Sequence, residues 1–161
     1  MSLAAARLRR TVWLAPAAYA IHLTEEWGRF PDWVRAHLAP GFADASFVLV
    51  NAAAMTVLVS LTAAVTRSPS PATVFRFFAW IDFQIFWNAL IHAGATAYFG
   101  EYSPGVASGV LVYLPVWGLL TRVALDAGLL GRPAAWRALA VGAGLHAALG
   151  AALVGGLFSR R

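Results

Sequence analysis

Apolar runs and short polar breaks alternate along the whole chain. Runs long enough to cross about 30 Å of hydrocarbon lie near residues 11–27, 46–66, 73–99, 106–128 and 134–158. Breakers separate them: Pro31, Pro40 and Gly41; Ser68, Pro69, Ser70 and Pro71; Pro104 and Gly105; Gly131, Arg132 and Pro133. The pattern predicts an all-α integral membrane bundle of about five transmembrane helices, forming one domain over residues 1–161. Small residues fill the last run (Gly142, Gly144, Ala147, Ala148, Gly150 and Ala151), which suits close helix packing in lipid.

One further helix is expected between the first two runs, near residues 30–39. Phe30, Trp33, Val34, His37 and Leu38 recur at i, i+3, i+4, i+7 and i+8, with Pro31 placed for a first turn. Asp32 and Arg35 take the opposite side, so this short helix should lie in the membrane interface with His37 as an interfacial side chain.

Composition agrees with the pattern. Hydrophobic residues make up 60% and charged residues 12%, against roughly 45–50% and about 25% in soluble domains. Too little polar surface is left to cover a soluble fold. Without cysteine, disulfides, thiolate metal sites and a cysteine nucleophile are excluded. The net charge of +5 comes from arginines spread along the chain, which argues against a nucleic-acid surface. Arg7, Arg9 and Arg10 precede the first run in the order of a signal peptide. No small-residue cleavage site follows, so the run reads as a retained span. With the N-terminus inside, eight arginines fall on the inner face, and only Arg29, Arg35, Arg160 and Arg161 fall outside. That bias favours an N-terminus inside and a C-terminus outside.

Polar groups within spans carry the chemical information, because a central charge costs about 2.5–3.5 kcal/mol on insertion scales. His22-Leu23-Thr24-Glu25-Glu26 closes the first span, and His22 can share a helix face with either glutamate. An imidazole and a carboxylate at that spacing can grip one metal ion. Gln84, Asn88 and His92 form a polar stripe on the third span that must face the bundle interior. Tyr102-Ser103-Pro104-Gly105 is a turn signal, with proline setting φ and glycine supplying a positive φ. At 1.5 Å per residue, His22, Asn51 and His92 lie about 8–10 Å below the outer end of their spans, and Asn88 and His146 about 16–18 Å below. These groups therefore gather in the outer half of the bundle. Asp82 and Arg122, deeper on neighbouring spans, could pair with each other and stand outside this group.

These motifs resemble those of the HXXEE family of membrane proteins. His22, Glu25 and Glu26 match the motif that names it, Asn88 to His92 its Asn-x-x-x-His motif, and Tyr102 to Gly105 its Tyr-x-Pro-Gly motif. The resemblance implies a multi-pass protein of a bacterial-type inner membrane, and it supplies no substrate. The residues themselves point to a membrane-embedded, metal-dependent enzyme. His22, Glu25 and His92 would be core ligands and His146 a fourth; Glu26 would be a further ligand or the general base. Asn88 would orient His92 or the substrate, and Tyr102 would donate to a developing oxyanion. The expected cofactor is a divalent metal, zinc or iron. Zinc would imply hydrolysis or acyl transfer on a lipid-like substrate, and two irons oxidation of a hydrocarbon chain. A solute- or proton-binding transport protein and a structural subunit are the alternatives. Membrane lipids are the expected partners.

Overall fold

The structure is a computed structural model that describes residues 3–158. Every regular element among the described residues is helical. Four helices have the length and hydropathy to cross a bilayer: α4 (Asp44–Arg67), α5 (Pro71–Phe99), α6 (Val106–Asp126) and α7 (Arg132–Val154). They mark the chain as a membrane protein, and their ends fall within four residues of those expected from hydropathy.

The expected first span is not one helix. It is divided into α1 (Leu3–Thr11) and α2 (Leu14–Glu26). Pro16 explains the break. It has no N–H for the Val12 carbonyl, and the Ala15 N–H takes that carbonyl at 3.1 Å in a tighter turn. Thirteen residues of α2 rise only about 20 Å, so α2 alone is too short to cross the hydrocarbon.

Helix α3 (Phe30–His37) occupies the place expected of the interfacial helix, with Pro31 in its first turn. Its apolar face, Trp33 and Val34, packs with Phe42 and Phe47 into a small core of its own. Arg35, paired with Asp32 on the same helix at 2.5 Å, ties α3 to the start of α4 through Asp44 at 2.7 Å. His37 stacks on Trp33 and reaches Glu101 at 3.2 Å, which fastens α3 to the loop after α5.

Helix α5 is central. Half of its apolar window is buried, against 11% for α7, and α4, α6 and α7 all pack on it. Its start is fixed by a capping box in which Ser70 and Thr73 exchange side-chain and backbone bonds. Two segments widen to π-helix, Asp82–Trp87 within α5 and Gly109–Tyr113 within α6. Such bulges free backbone groups from the regular ladder and recur at functional sites. Asp82, buried at the start of the first of them, accepts a bond from the Trp117 indole at 2.6 Å, whereas Arg122 is exposed. The conjectured Asp82–Arg122 pair is therefore replaced by an Asp82–Trp117 bond.

Candidate metal centre

Helical spacing sets the first two members of the site. His22 and Glu26 lie one turn apart at the end of α2 and are both buried. His92 enters from α5 and is equally buried. The His22 Nε2 stands 3.4 Å and the His92 Nε2 3.3 Å from the same Glu26 oxygen, Oε1. One ligand atom from each residue lies within 4.8 Å of the other two. Each imidazole is oriented by a serine at its other nitrogen: Ser108 Oγ at 2.8 Å from His22 Nδ1, and Ser103 Oγ at 2.9 Å from His92 Nδ1. If each Nδ1 donates its proton to serine, each Nε2 lone pair is left pointing at the centre of the cluster. Tyr113, from the π segment of α6, stacks on His22 with ring centroids 4.4 Å apart.

The Tyr-Ser-Pro-Gly turn closes the cluster from above. Gly105 has φ +106°, and a Cβ there would sit 2.7 Å from His22 Cε1 and 2.8 Å from His92 Cε1. Glu25 holds this turn in place. Its carboxylate accepts from the backbone N–H of Gly105 at 3.0 Å, Ala107 at 3.1 Å and Ser108 at 2.7 Å, and from the Tyr102 hydroxyl. An anion on the first N–H groups of α6 caps that helix from a neighbouring chain segment, where caps contribute about 1 kcal/mol. The bond to Glu25 and partial burial push the Tyr102 phenol above its ordinary range.

The two adjacent glutamates thus exchange the places expected of them. Glu26, held open as ligand or base, faces both imidazoles; Glu25, expected as a core ligand, faces the turn. Tyr102, expected over the reacting centre, donates its hydroxyl hydrogen bond to Glu25 and is half exposed. Asn88 lies one turn before His92, with its Oδ1 buried and unpartnered. His146 is outside the three-residue cluster; its Nδ1 bonds the Phe83 carbonyl at 3.2 Å. Asn51 accepts from the Tyr19 hydroxyl at 2.5 Å. His37 stays on the interfacial helix. Ser103, Ser108 and Tyr113 were not singled out in the sequence. Ser103 sits inside the quoted turn motif, and Ser108 is a lone serine opening an apolar span, which is the available signal.

Beside the cluster lies a cavity of about 690 Å³, with Glu26, His92 and Ser103 on its wall.

A membrane-spanning helical bundle with a buried histidine–glutamate cluster is the class these observations define. The family described as "Protein of unknown function with HXXEE motif" matches residues 13–120, a stretch that holds all three motifs, and the chain belongs to this family. Neither the curated proteins nor the solved structures contain a match.

Proposed function

We propose that His22, Glu26 and His92 hold one divalent cation, and that the protein is a membrane-embedded metal-dependent enzyme acting on a lipid-like substrate by hydrolysis or acyl transfer. The observation that carries this reading is the convergence of two imidazole Nε2 atoms on one oxygen of Glu26. At 3.3 and 3.4 Å both approaches exceed the about 2.7–3.2 Å of good N–H···O bonds, and His22 Nε2 is buried with no hydrogen-bond partner. Two atoms each about 2.0–2.1 Å from one zinc ion at tetrahedral angles stand roughly 3.4 Å apart. The spacing therefore suits ligands around an ion better than a hydrogen bond.

Charge supports the same reading. If both imidazoles are neutral, the buried carboxylate between them is an uncompensated anion, and no arginine pairs with Glu26 among the described residues. A dication there offsets the cost of that burial. Two histidines and one carboxylate, leaving positions open, are the donor set of hydrolytic zinc sites and of single-iron oxygenases. Bound in this cluster, zinc would supply Lewis acidity and a nucleophilic water at neutral pH. His22 and His92, locked by Ser108 and Ser103, would hold the ion's geometry, while the Gly105 turn would exclude bulk water from one side.

The test uses the full-length protein in nanodiscs with a long-chain umbelliferyl ester as probe. Release of umbelliferone should fall with a chelator and return with zinc. Hydrolysis that survives complete metal removal would refute the reading, and so would iron-dependent oxygen consumption with no ester cleavage under either metal.

We further propose an orientation with α1 on the cytoplasmic side and the end of α7 outside, α1 and α2 together crossing once. The arginine bias supports it; Arg160 and Arg161, which contribute to that bias, lie outside the described residues. An alkaline phosphatase fusion at the C-terminus should be active and a green fluorescent protein fusion dark. The opposite result would reverse the orientation.

A further inference from the structure

His146 plays no part in the cluster, yet the fold takes trouble to present it. Helix α7 lies against the π segment of α5 so closely that a Cβ on Gly142 would meet Phe83 N at 2.7 Å. The Trp87 indole bonds the Leu139 carbonyl at 2.9 Å across the same contact. One turn beyond Gly142, His146 Nδ1 bonds the carbonyl of Phe83, inside the π segment. A backbone carbonyl can only accept, so Nδ1 must carry the proton. In the neutral imidazole the other nitrogen, Nε2, then keeps its lone pair. His146 lines the cavity that also holds Glu26 and His92 on its wall.

The rest of the lining limits what could fill this cavity. It is overwhelmingly apolar, and two of its wall residues, Leu90 and Ile91, are exposed on what is a lipid-facing helix surface. No arginine among the described residues lines it, so none of these offers a cation to a phosphate or carboxylate head. Among the described residues its sole carboxylate is Glu26, which is committed to the cluster, so none of these is left for an ammonium head. Asn51, Ser103 and the indole of Trp33 are neutral. At roughly 30 Å³ per non-hydrogen atom, the share a water takes in the liquid, the cavity of about 690 Å³ holds roughly 23 such atoms, enough for one chain and a small head.

From this we infer that the cavity binds a single-chain, neutral, hydroxyl-bearing amphiphile taken from the bilayer, such as a long-chain alcohol or a monoacylglycerol, with its hydroxyl donating to His146 Nε2. This deepens the proposed function by naming the substrate class, and it rests on that reading only in taking the cavity as the substrate's place. The hydroxyl recognition belongs to α7 and the π segment and is independent of the ion.

The experiment measures equilibrium binding of radiolabelled 1-hexadecanol, hexadecyl methyl ether and palmitate to the full-length protein in nanodiscs. Wild type should bind the alcohol about five- to tenfold more tightly than the ether, the range of one net hydrogen bond, and palmitate no better than the ether. His146→Asn keeps an amide N–H for the Phe83 carbonyl and removes Nε2; it should bind both neutral probes equally. Gly150→Leu places a side chain where a Cβ meets open space on the cavity wall, and should weaken both neutral probes at least about tenfold while leaving metal content at the wild-type level. His22→Ala should retain the alcohol preference even with its metal lost, which separates this inference from the metal reading. Equal binding of alcohol and ether by wild type, a preference that survives His146→Asn, unaltered binding in Gly150→Leu, or palmitate as the tightest ligand would each overturn it. Loss of the preference in His22→Ala would assign the hydroxyl to the ion and overturn it as well.

Discussion

Purified after growth with added zinc, the wild-type protein should carry one metal ion per chain, and His22→Ala, Glu26→Gln and His92→Ala should each lose it. Every one of the three contributes a ligand atom to a buried cluster that no fourth histidine, cysteine, aspartate or glutamate joins among the described residues. Glu26→Gln is the most informative, because it keeps the shape and removes only the charge. The expected loss in affinity is at least about 100-fold, since even the hydrogen-bonding partners of metal ligands cost 10–100-fold when removed. Ser103→Ala and Ser108→Ala fall in that second range, because they release Nδ1 of His92 and His22. Were the cluster only hydrogen-bonded glue between helices, each of these changes would cost on the order of 0.6 kcal/mol of stability and would involve no metal. Glu25→Gln separates the two glutamates: it weakens the cap on α6 yet should retain most of the metal. His37→Ala should match wild type. Mass spectrometry of metal per chain reads all of these. Metal-free wild type after growth in zinc, iron and manganese in turn would end the metal reading.

How much of this could be read from the sequence differs from residue to residue. The ends of α4 to α7 were readable because hydropathy and breakers such as Ser70-Pro71 and Gly131 act locally along the chain. The interfacial helix was readable for the same reason, its apolar face recurring at helical period from Phe30 to His37. The division of the first span was written in Pro16, but a proline in an apolar run is tolerated in many membrane helices, so the run read as one. That His22 and His92 come together followed from depth alone. Which glutamate joins them did not, because Glu25 and Glu26 are both within one turn of His22. The choice depends on where the first N–H groups of α6 lie, a tertiary fact. The first π segment lies against α7 at Gly142, and the tautomer of His146 is set by the carbonyl of Phe83 there. Neither follows from the stretch 82–87 itself.

Gly105→Ala should damage the protein as severely as loss of a ligand, although Gly105 offers no ligand atom. Two costs add. At φ +106° an alanine is strained by about 1–3 kcal/mol, and its methyl group would overpack the two imidazoles for about 1–3 kcal/mol more. The turn cannot retreat to make room, because Glu25 grips the Gly105 N–H and Pro104 is buried. The imidazoles must move instead, and His92 Nε2, 3.0 Å from the added carbon, is the atom that faces Glu26. Metal affinity should therefore fall about 100-fold or more, together with a loss of stability of about 2–6 kcal/mol. Gly100→Ala isolates the backbone part. Gly100 also has a positive φ, +67°, at the end of α5, but a Cβ there meets nothing within 4 Å. It should cost about 1–3 kcal/mol and leave metal content at one ion per chain. Thermal unfolding in detergent and metal analysis of both variants measure the difference. Were Gly105→Ala to keep its metal and lose no more stability than Gly100→Ala, the turn would not press on the imidazoles, and its closure of the site would have to be abandoned.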